Sequence, residues 1–429
     1  MIAATEKAEN GIKWMPKVPD HWQKIRVKNL FHEIEKRSAS GKEDLLSVSQ
    51  YTGVTLRKDS FEEGKEITNA KTLKGYKIVE KGDLVVNIML AWNGCLGISK
   101  YNGITSPAYC VYRVNENYNP DYFGFLFSTS FYKGEFRKRS TGIIDSRLRL
   151  YSDAFFRIFC FVPPKDEQDG IVNLIMSEFN QINHFIQTKQ RFIELLKEQR
   201  QSIITHAVTK GIDEKAKMKE TVLGEIPEHW ELRRLKFCLN EKLKYGANAS
   251  GDYYNPSWYR YIRITDFTSA GTLDENNKLS LSPENGKDYE LKDGDILLAR
   301  SGATVGKSFQ FRLVDRDERC CYAGYLIKAS PNDEIILSDF LYYFTLSSNY
   351  ENWKNSIFIK ATIENISADK YANLLVTLPP IEEQKRILEH IKTETKNLDI
   401  AISKAEREIE LMKEYSESMI AEAVMGKML

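Results

Sequence analysis

The chain has no apolar run near the ~18 residues of a membrane span, so a spanning helix is not expected. Met1–Asn10 carries charges and no apolar core, which argues against a secretion signal. Cysteine is scarce: six are scattered with no CxxC pair, and Cys320 and Cys321 are adjacent, which suits neither zinc spacing nor an easy disulfide. These features point to a reduced, cytoplasmic protein without membrane partners. There is no excess of one charge, since the net charge is +1. Neither HExxH nor a Ser/Cys–His–Asp pattern occurs, so no catalytic residue and no metal site is expected.

What the chain does contain, it contains twice. Phe161-Val-Pro-Pro-Lys-Asp-Glu-Gln168 opens a long polar segment ending Ser202-Ile-Ile-Thr-His-Ala-Val208. Thr377-Leu-Pro-Pro-Ile-Glu-Glu-Gln384 opens another ending Ser418-Met-Ile-Ala-Glu-Ala-Val424, 216 residues later. Pro19-Asp-His-Trp22 recurs as Pro227-Glu-His-Trp230 at an offset of 208, and Lys81-Gly-Asp-Leu-Val-Val86 as Asp293-Gly-Asp-Ile-Leu-Leu298 at 212. A repeat this long defines the architecture before any element is assigned. The drift in offset places small insertions in loops of the second half.

Each Pro-Pro-x-x-Glu-Gln reads as a helix start, with proline in the first turn and carboxylates facing the positive end of the dipole. In the first helix, Ile175, Phe179, Ile182, Ile186, Lys189, Ile193, Leu196, Arg200, Ile203 and Ala207 follow 4-3-4-3 spacing. In the second, Ile391, Thr395, Leu398, Ile402, Ala405, Ile409, Met412, Ser416, Met419 and Ala423 do the same. Such spacing is a coiled-coil seam. The alternative is a solvated helix packed on its own domain. The polar seam residues Lys189, Arg200, Thr395 and Ser416 are expected to fix the register and hence the spacing.

The expected organisation is a linker (1–11), a globule (12–165), a helix (166–207), a linker (208–222), a second globule (223–381) and a second helix (382–425). The fold class is α+β: two mixed, mostly β globules separated by two long antiparallel coiled-coil helices and related by a pseudo-twofold axis. Strands are expected at Asp83–Met89, Tyr109–Val114, Asp295–Ala299 and Tyr322–Ala329, and short helices at Asp121–Phe131 and Ser338–Leu346. Charge divides along the same lines. Segment 166–207 has four Lys/Arg against six Asp/Glu, and 382–427 has eight against eleven, which leaves the rest of the chain at +6. Basic globules suit phosphate and acidic helices suit another partner.

Two near-motifs read as turns. Gly302-Ala-Thr-Val-Gly-Lys-Ser308 is one residue short of a phosphate-binding loop, and Ser308–Arg312 alternates like a strand. It is expected to offer backbone N–H groups, Thr304 and Lys307 to a phosphate. Asn255-Pro-Ser-Trp258 lacks the second proline of an amino-methyltransferase tetrapeptide and reads as an Asn-Pro turn. His21 and His229 recur within the repeat, which favours a structural role.

The ordered set Pro-(Asp/Glu)-His-Trp, Gly-Asp-(Leu/Ile) and Pro-Pro-x-x-Glu-Gln, each present twice, resembles the specificity subunit of type I DNA restriction–modification enzymes. Leu45–Val54, Tyr261–Asp266 and Ala299–Lys307 also look like parts of that family's target recognition domains. The resemblance implies two target recognition domains, each reading half of a bipartite, asymmetric site in double-stranded DNA, with the helices as a ruler for the gap. It implies two modification (methyltransferase) subunits and two restriction (motor/nuclease) subunits as partners. S-adenosylmethionine, ATP and Mg2+ would then belong to those subunits, this chain holding no cofactor and catalysing nothing. A coiled-coil scaffold whose globular heads bind protein is the competing reading.

Base readers need Arg, Lys, Asn, Gln or a placed hydroxyl. In the first half the candidates are Gln50, Tyr51 and Thr52, Lys71 with Lys74, and Arg137, Lys138, Arg139 and Ser140 with Arg147 and Arg149. In the second they are Tyr259 and Arg260, Arg263 and Thr265, Arg300, Ser301, Thr304 and Lys307, and Lys360. The spacing candidates are Ile182, Ile186, Lys189, Ile193 and Leu196 on one helix and Leu398, Ile402, Ala405, Ile409 and Met412 on the other. The halves differ at the reading positions while their frames match, so each is expected to read a different sequence.

Overall fold

A computed structural model describes residues 17–50, 52–60, 72–268, 271–302, 304–313, 318–358 and 365–428. Tyr51, Lys71, Lys360 and the segment 1–11 lie outside the described residues. The chain divides into two compact units. One runs through Lys189 and takes up Arg407 onward; the other is Gln190–Glu406. Each therefore holds a globule with parts of both long helices, Lys165–Lys210 and Ile381–Ala423.

In the first unit, a four-stranded antiparallel sheet has the order Phe31–Glu33, Cys110–Val114, Leu84–Val86, Leu96–Ile98. The edges of the globule close where Gln23–Arg26 pairs with Phe159–Val162. Leu84, Val85 and Val86 are all buried, as expected of a central strand walled on both sides. Two successive helices, Pro120–Ser128 and Ser130–Arg139, cover the sheet. They divide where Thr129 adopts extended backbone, so the single short helix expected there is two. Asn119 caps the first, its side chain accepting from Asp121 N–H, which satisfies one of the donors a helix start leaves open. Phe31, Phe123, Phe127, Phe136 and Phe155 form the aromatic centre of the core, with ring centroids 5.1–6.4 Å apart.

The second unit repeats the frame. Lys244–Tyr245, Leu326–Ala329, Ile296–Ala299 and Ser308–Gln310 form the equivalent antiparallel sheet, and Glu231–Arg234 pairs with Leu375–Leu378. The unit adds a second four-stranded sheet, Asp252–Tyr253, Leu279–Leu281, Tyr259–Ile262 and Cys320–Tyr322, whose last pair is parallel. Tyr322–Ala329 is thus not one strand. Cys320–Tyr322 and Leu326–Ala329 belong to different sheets, and the chain changes sheet at Ala323–Tyr325. The segment after the first long helix carries an element of its own, a hairpin of Met218–Thr221 with Gly224–Pro227.

The repeated motifs meet inside each unit. In the first, Glu167 of the helix start accepts from Trp22 Nε1 at 3.1 Å, and its other oxygen lies 2.7 Å from His21 Nε2. In the second, Glu383 accepts from Trp230 Nε1 at 3.0 Å and lies 2.7 Å from His229 Nε2. Gln168 and Gln384 donate to the carbonyls of Pro163 and Pro379, bracing the same helix turns. The Gly-Asp pairs also share one job: Gly82 and Gly294 have φ of +95° and +87°, a region that favours glycine. Asp83 and Asp295 then accept from the N–H of Glu80 and Lys292, each at 2.8 Å.

Each long helix ends at the opposite half's opening motif. Gly426, with φ +71°, leaves no room for a side chain, since a Cβ there would lie 2.8 Å from Trp22 and Pro19. Gly211 has φ +78°, and a Cβ there would lie 3.2 Å from Trp230. Glycine just past a helix end is the usual stop, and here it also admits the indole. Within the second unit, Arg200 pairs with Asp399 at 2.7 Å and Lys197 with Glu406 at 3.4 Å, so the two helix segments run antiparallel. In the first, Lys189 pairs with Glu408 at 2.6 Å, and Ile171, Ile175 and Ile182 share a core with Met419 and Ala423.

Seam positions Ile182, Ile193, Thr395, Ile402, Ala405, Ile409 and Ser416 are buried, and Ile186, Leu196, Leu398 and Met412 are half-buried. Phe179 departs from the expected seam: it is exposed, while Ile175 and Ile182 on either side are buried. A strict 3.5-residue period drifts around a straight helix of 3.6 residues per turn. Ile203 is half-buried, its neighbour Ile204 taking the core position.

Candidate nucleic-acid interface

In both units polar and aromatic side chains gather at the hairpin that follows the Gly-Asp strand. In the first unit this is 87–95, between Leu84–Val86 and Leu96–Ile98. In the second it is 300–307, between Ile296–Ala299 and Ser308–Gln310. The strands hold the frame, and the hairpin side chains are free to differ.

In the first unit, Arg137 lies over the Trp92 ring at 5.0 Å and pairs with Asp145 at 2.6 Å. Asn93 donates through Nδ2 to Gln50 Oε1. Lys138, Arg147, Lys74 and Thr52 are exposed. Arg139 pairs with buried Glu135 at 2.7 Å, and Ser140 donates to the Phe136 carbonyl at 2.8 Å, so both serve the end of their helix. Arg149 donates to the Ser146 and Leu148 carbonyls and holds its own loop.

In the second unit, the Arg300 guanidinium lies over Tyr245 at 4.7 Å, and Ala368 N–H donates to the Tyr245 hydroxyl at 3.0 Å. Asn365 bridges to Ser301. Among the described residues, neither Arg300 Nε nor Asn365 Oδ1 finds a hydrogen-bond partner. A buried polar atom without a partner is costly, and here a donor and an acceptor stand in one cluster. Tyr325, 67% exposed, adjoins it, its carbonyl accepting from Arg300 N–H at 3.0 Å. Thr304 is half-buried and Lys307 exposed.

The hairpin Gly302–Lys307 is a closed turn. Val305 N–H bonds to Gly302, Gly306 to Ala299 and Lys307 to Thr304, at 2.9–3.0 Å. Those three N–H groups are engaged within the turn, and the half-buried Thr304 and exposed Lys307 side chains stand on it. Asn255 forms an Asx turn with Ser257 at 3.0 Å.

Three candidate readers of the second half are built into the fold. Arg260 is 3% exposed; it pairs with Glu275 at 2.9 Å and Glu318 at 3.1 Å and donates to the Asp274 carbonyl. Tyr259 is buried, with the Arg319 guanidinium over its ring at 4.1 Å. Arg263 is clamped on Asp266 at 2.6 Å and on the Asn277 carbonyl. Thr265 is exposed. Trp92, Asn93, Tyr245 and Asn365 were not among the sequence candidates. Their signal was position: each lies on the hairpin after a Gly-Asp strand or is brought against it by the sheet.

Comparison with known proteins adds four findings. Residues 227–411 match the family described as "Type I restriction modification DNA specificity domain". The MjaVIII type I restriction enzyme specificity subunit of Methanocaldococcus jannaschii is 25% identical over 403 residues, 88% of this chain and 87% of that one. The EcoKI type I specificity subunit of Escherichia coli is 26% identical over 212 residues, 48% of this chain and 44% of that one. A solved structure from work on "complex assembly and conformational transition of the type I R-M system" shares the fold with a TM-score of 0.67 at 15% identity, covering 96% of this chain and all of that one.

Proposed function

We propose that the chain is a type I restriction–modification specificity subunit, the DNA-reading subunit of such a complex, a reading supported by the family match over residues 227–411 and by the similarity to the MjaVIII subunit along 88% of the chain. Each unit reads one half of a bipartite, asymmetric site through the hairpin after its Gly-Asp strand and the side chains gathered there. The observation that carries this reading is one sheet frame presenting Trp92, Asn93 and Arg137 in one unit and Arg300, Tyr245 and Asn365 in the other. Arginine and asparagine are the side chains that pair bidentately with guanine and adenine edges, and exposed lysines supply phosphate contacts.

The paired helices set the gap between the half-sites and dock two modification subunits. Two restriction subunits join the complete complex. S-adenosylmethionine, ATP and Mg2+ act in those partners, and this chain supplies position rather than a chemical step. The linkers and domain bounds expected from the sequence remain the proposed division of labour: globules 12–165 and 223–381 read, and helices 166–207 and 382–425 space.

A salt titration with duplexes selected from a randomised pool tests the reading. A DNA reader loses affinity steeply as salt rises, with log K linear in log salt. A scaffold whose heads bind protein would select no duplex and show no such slope.

A further inference from the structure

We propose that the loop 140–149 is an apolar wedge that drives Ile143 into the base stack of the half-site read by the first unit, a role that rests on the DNA-reading function above. Ile143 is fully exposed and Ile144 is 53% exposed. Leaving a large aliphatic side chain in water forgoes its burial energy, so such a tip calls for an occupant.

The loop is fixed rather than loose. Thr141 and Arg149 exchange both backbone hydrogen bonds, at 2.9 and 3.0 Å. Gly142 has φ +152°, and a Cβ there would lie 2.5 Å from the Arg147 carbonyl oxygen. Asp145–Arg147 forms a single 3-10 turn, tied back to Arg137 through Asp145 at 2.6 Å. Leu148 and Leu150 are buried and anchor the base of the loop.

Charge identifies the occupant. Residues 137–149 hold five Lys/Arg and one carboxylate, Asp145, which is already paired with Arg137. Lys138 and Arg147 are exposed, while Arg137, Arg139 and Arg149 are held by Asp145, Glu135 and loop carbonyls. The buried centre of a protein–protein interface is depleted of charge, so an exposed isoleucine in so basic a loop does not suit a protein surface. It suits a base step flanked by phosphates: the cations meet the backbone and the aliphatic tip partly unstacks the step, kinking the duplex.

The test uses the full chain in its host complex with a duplex that the wild type selects from a randomised pool, labelled at both ends for energy transfer. Ile143→Ser is expected to weaken binding by about 10- to 100-fold and to straighten the bound duplex, leaving the slope of affinity against salt unchanged. Ile143→Leu is expected to restore both affinity and bend. Equal binding and bending by Ile143→Ser overturns the wedge, and so does loss of host subunits from the Ile143→Ser complex, which would make the tip a protein contact. A wild-type complex that selects no duplex instead overturns the reading on which the wedge rests.

Discussion

Trp230 donates its indole N–H to Glu383 at 3.0 Å, and the carboxylate belongs to the first turn of a 43-residue helix. The bond explains why two short motifs, 145 residues apart in the first half and 153 in the second, occur together in each half. Trp230 is fully buried and the Glu383 side chain 10% exposed, whereas the equivalent Glu167 side chain is 31% exposed. Glu383→Ala should therefore lower unfolding free energy by about 2–3 kcal/mol, because it orphans a buried indole. Glu167→Ala should cost less, about 1 kcal/mol, because Trp22 is 5% exposed rather than fully buried and water already reaches the Glu167 carboxylate. Denaturant midpoints of the two variants check the order.

Arg260 is expected to matter for stability and not for the sequence read. Removing it takes one of three partners from Glu318, which keeps Lys278 and the Tyr254 hydroxyl, so Arg260→Ala should destabilise by about 1–3 kcal/mol. The surviving folded fraction should protect the same DNA site as the wild type. A changed site would restore Arg260 as a reader.

Arg300 and Lys307 should separate specificity from affinity. Arg300→Lys keeps the charge and loses the planar fork, so it should relax the second half-site at a cost of about 1–3 kcal/mol for the base it reads. Lys307→Ala should weaken binding to all sequences alike and lower the salt slope by about 1. Selection from a randomised half-site, together with a salt titration, distinguishes the two.

Acid should loosen the second unit through Glu241. Hydrogen bonds from Lys244 first and then Lys328 hold its carboxyl down to about 2, against an ordinary 4.5. A carboxyl depressed in the folded state adds stability that is complete above the unfolded value and is lost as pH falls through the folded one. Wild-type stability should thus contain a component that fades between pH 4.5 and about 2. Glu241→Gln should lack that component, as denaturant melts across this window would report.

Much of the frame was legible because it is written twice. The Gly-Asp turns, the Pro-Pro helix starts and the buried seam at Ile182, Ile193, Ile402 and Ile409 all carry local signals: a turn residue, a cap, a period. The site was less legible because its partners come from afar. Tyr259-Arg260 reads like an exposed basic–aromatic run, yet its strand lies between two others and all four residues Tyr259–Ile262 are buried. The carboxylates that neutralise Arg260 lie 15 and 58 residues away. Trp92 carries no motif, and only the hairpin after Leu84–Val86 brings it under Arg137. Phe179 was misplaced because a heptad count ignores the drift of a straight helix.

Sequencing the methylated adenines of a host genome, with and without this chain, tests the central claim most directly. Two units with one frame and different hairpin side chains should add methylation at a single bipartite motif: two unlike half-sites separated by a fixed unread gap. A palindromic motif, a motif without a gap, or no motif that depends on the chain would contradict it.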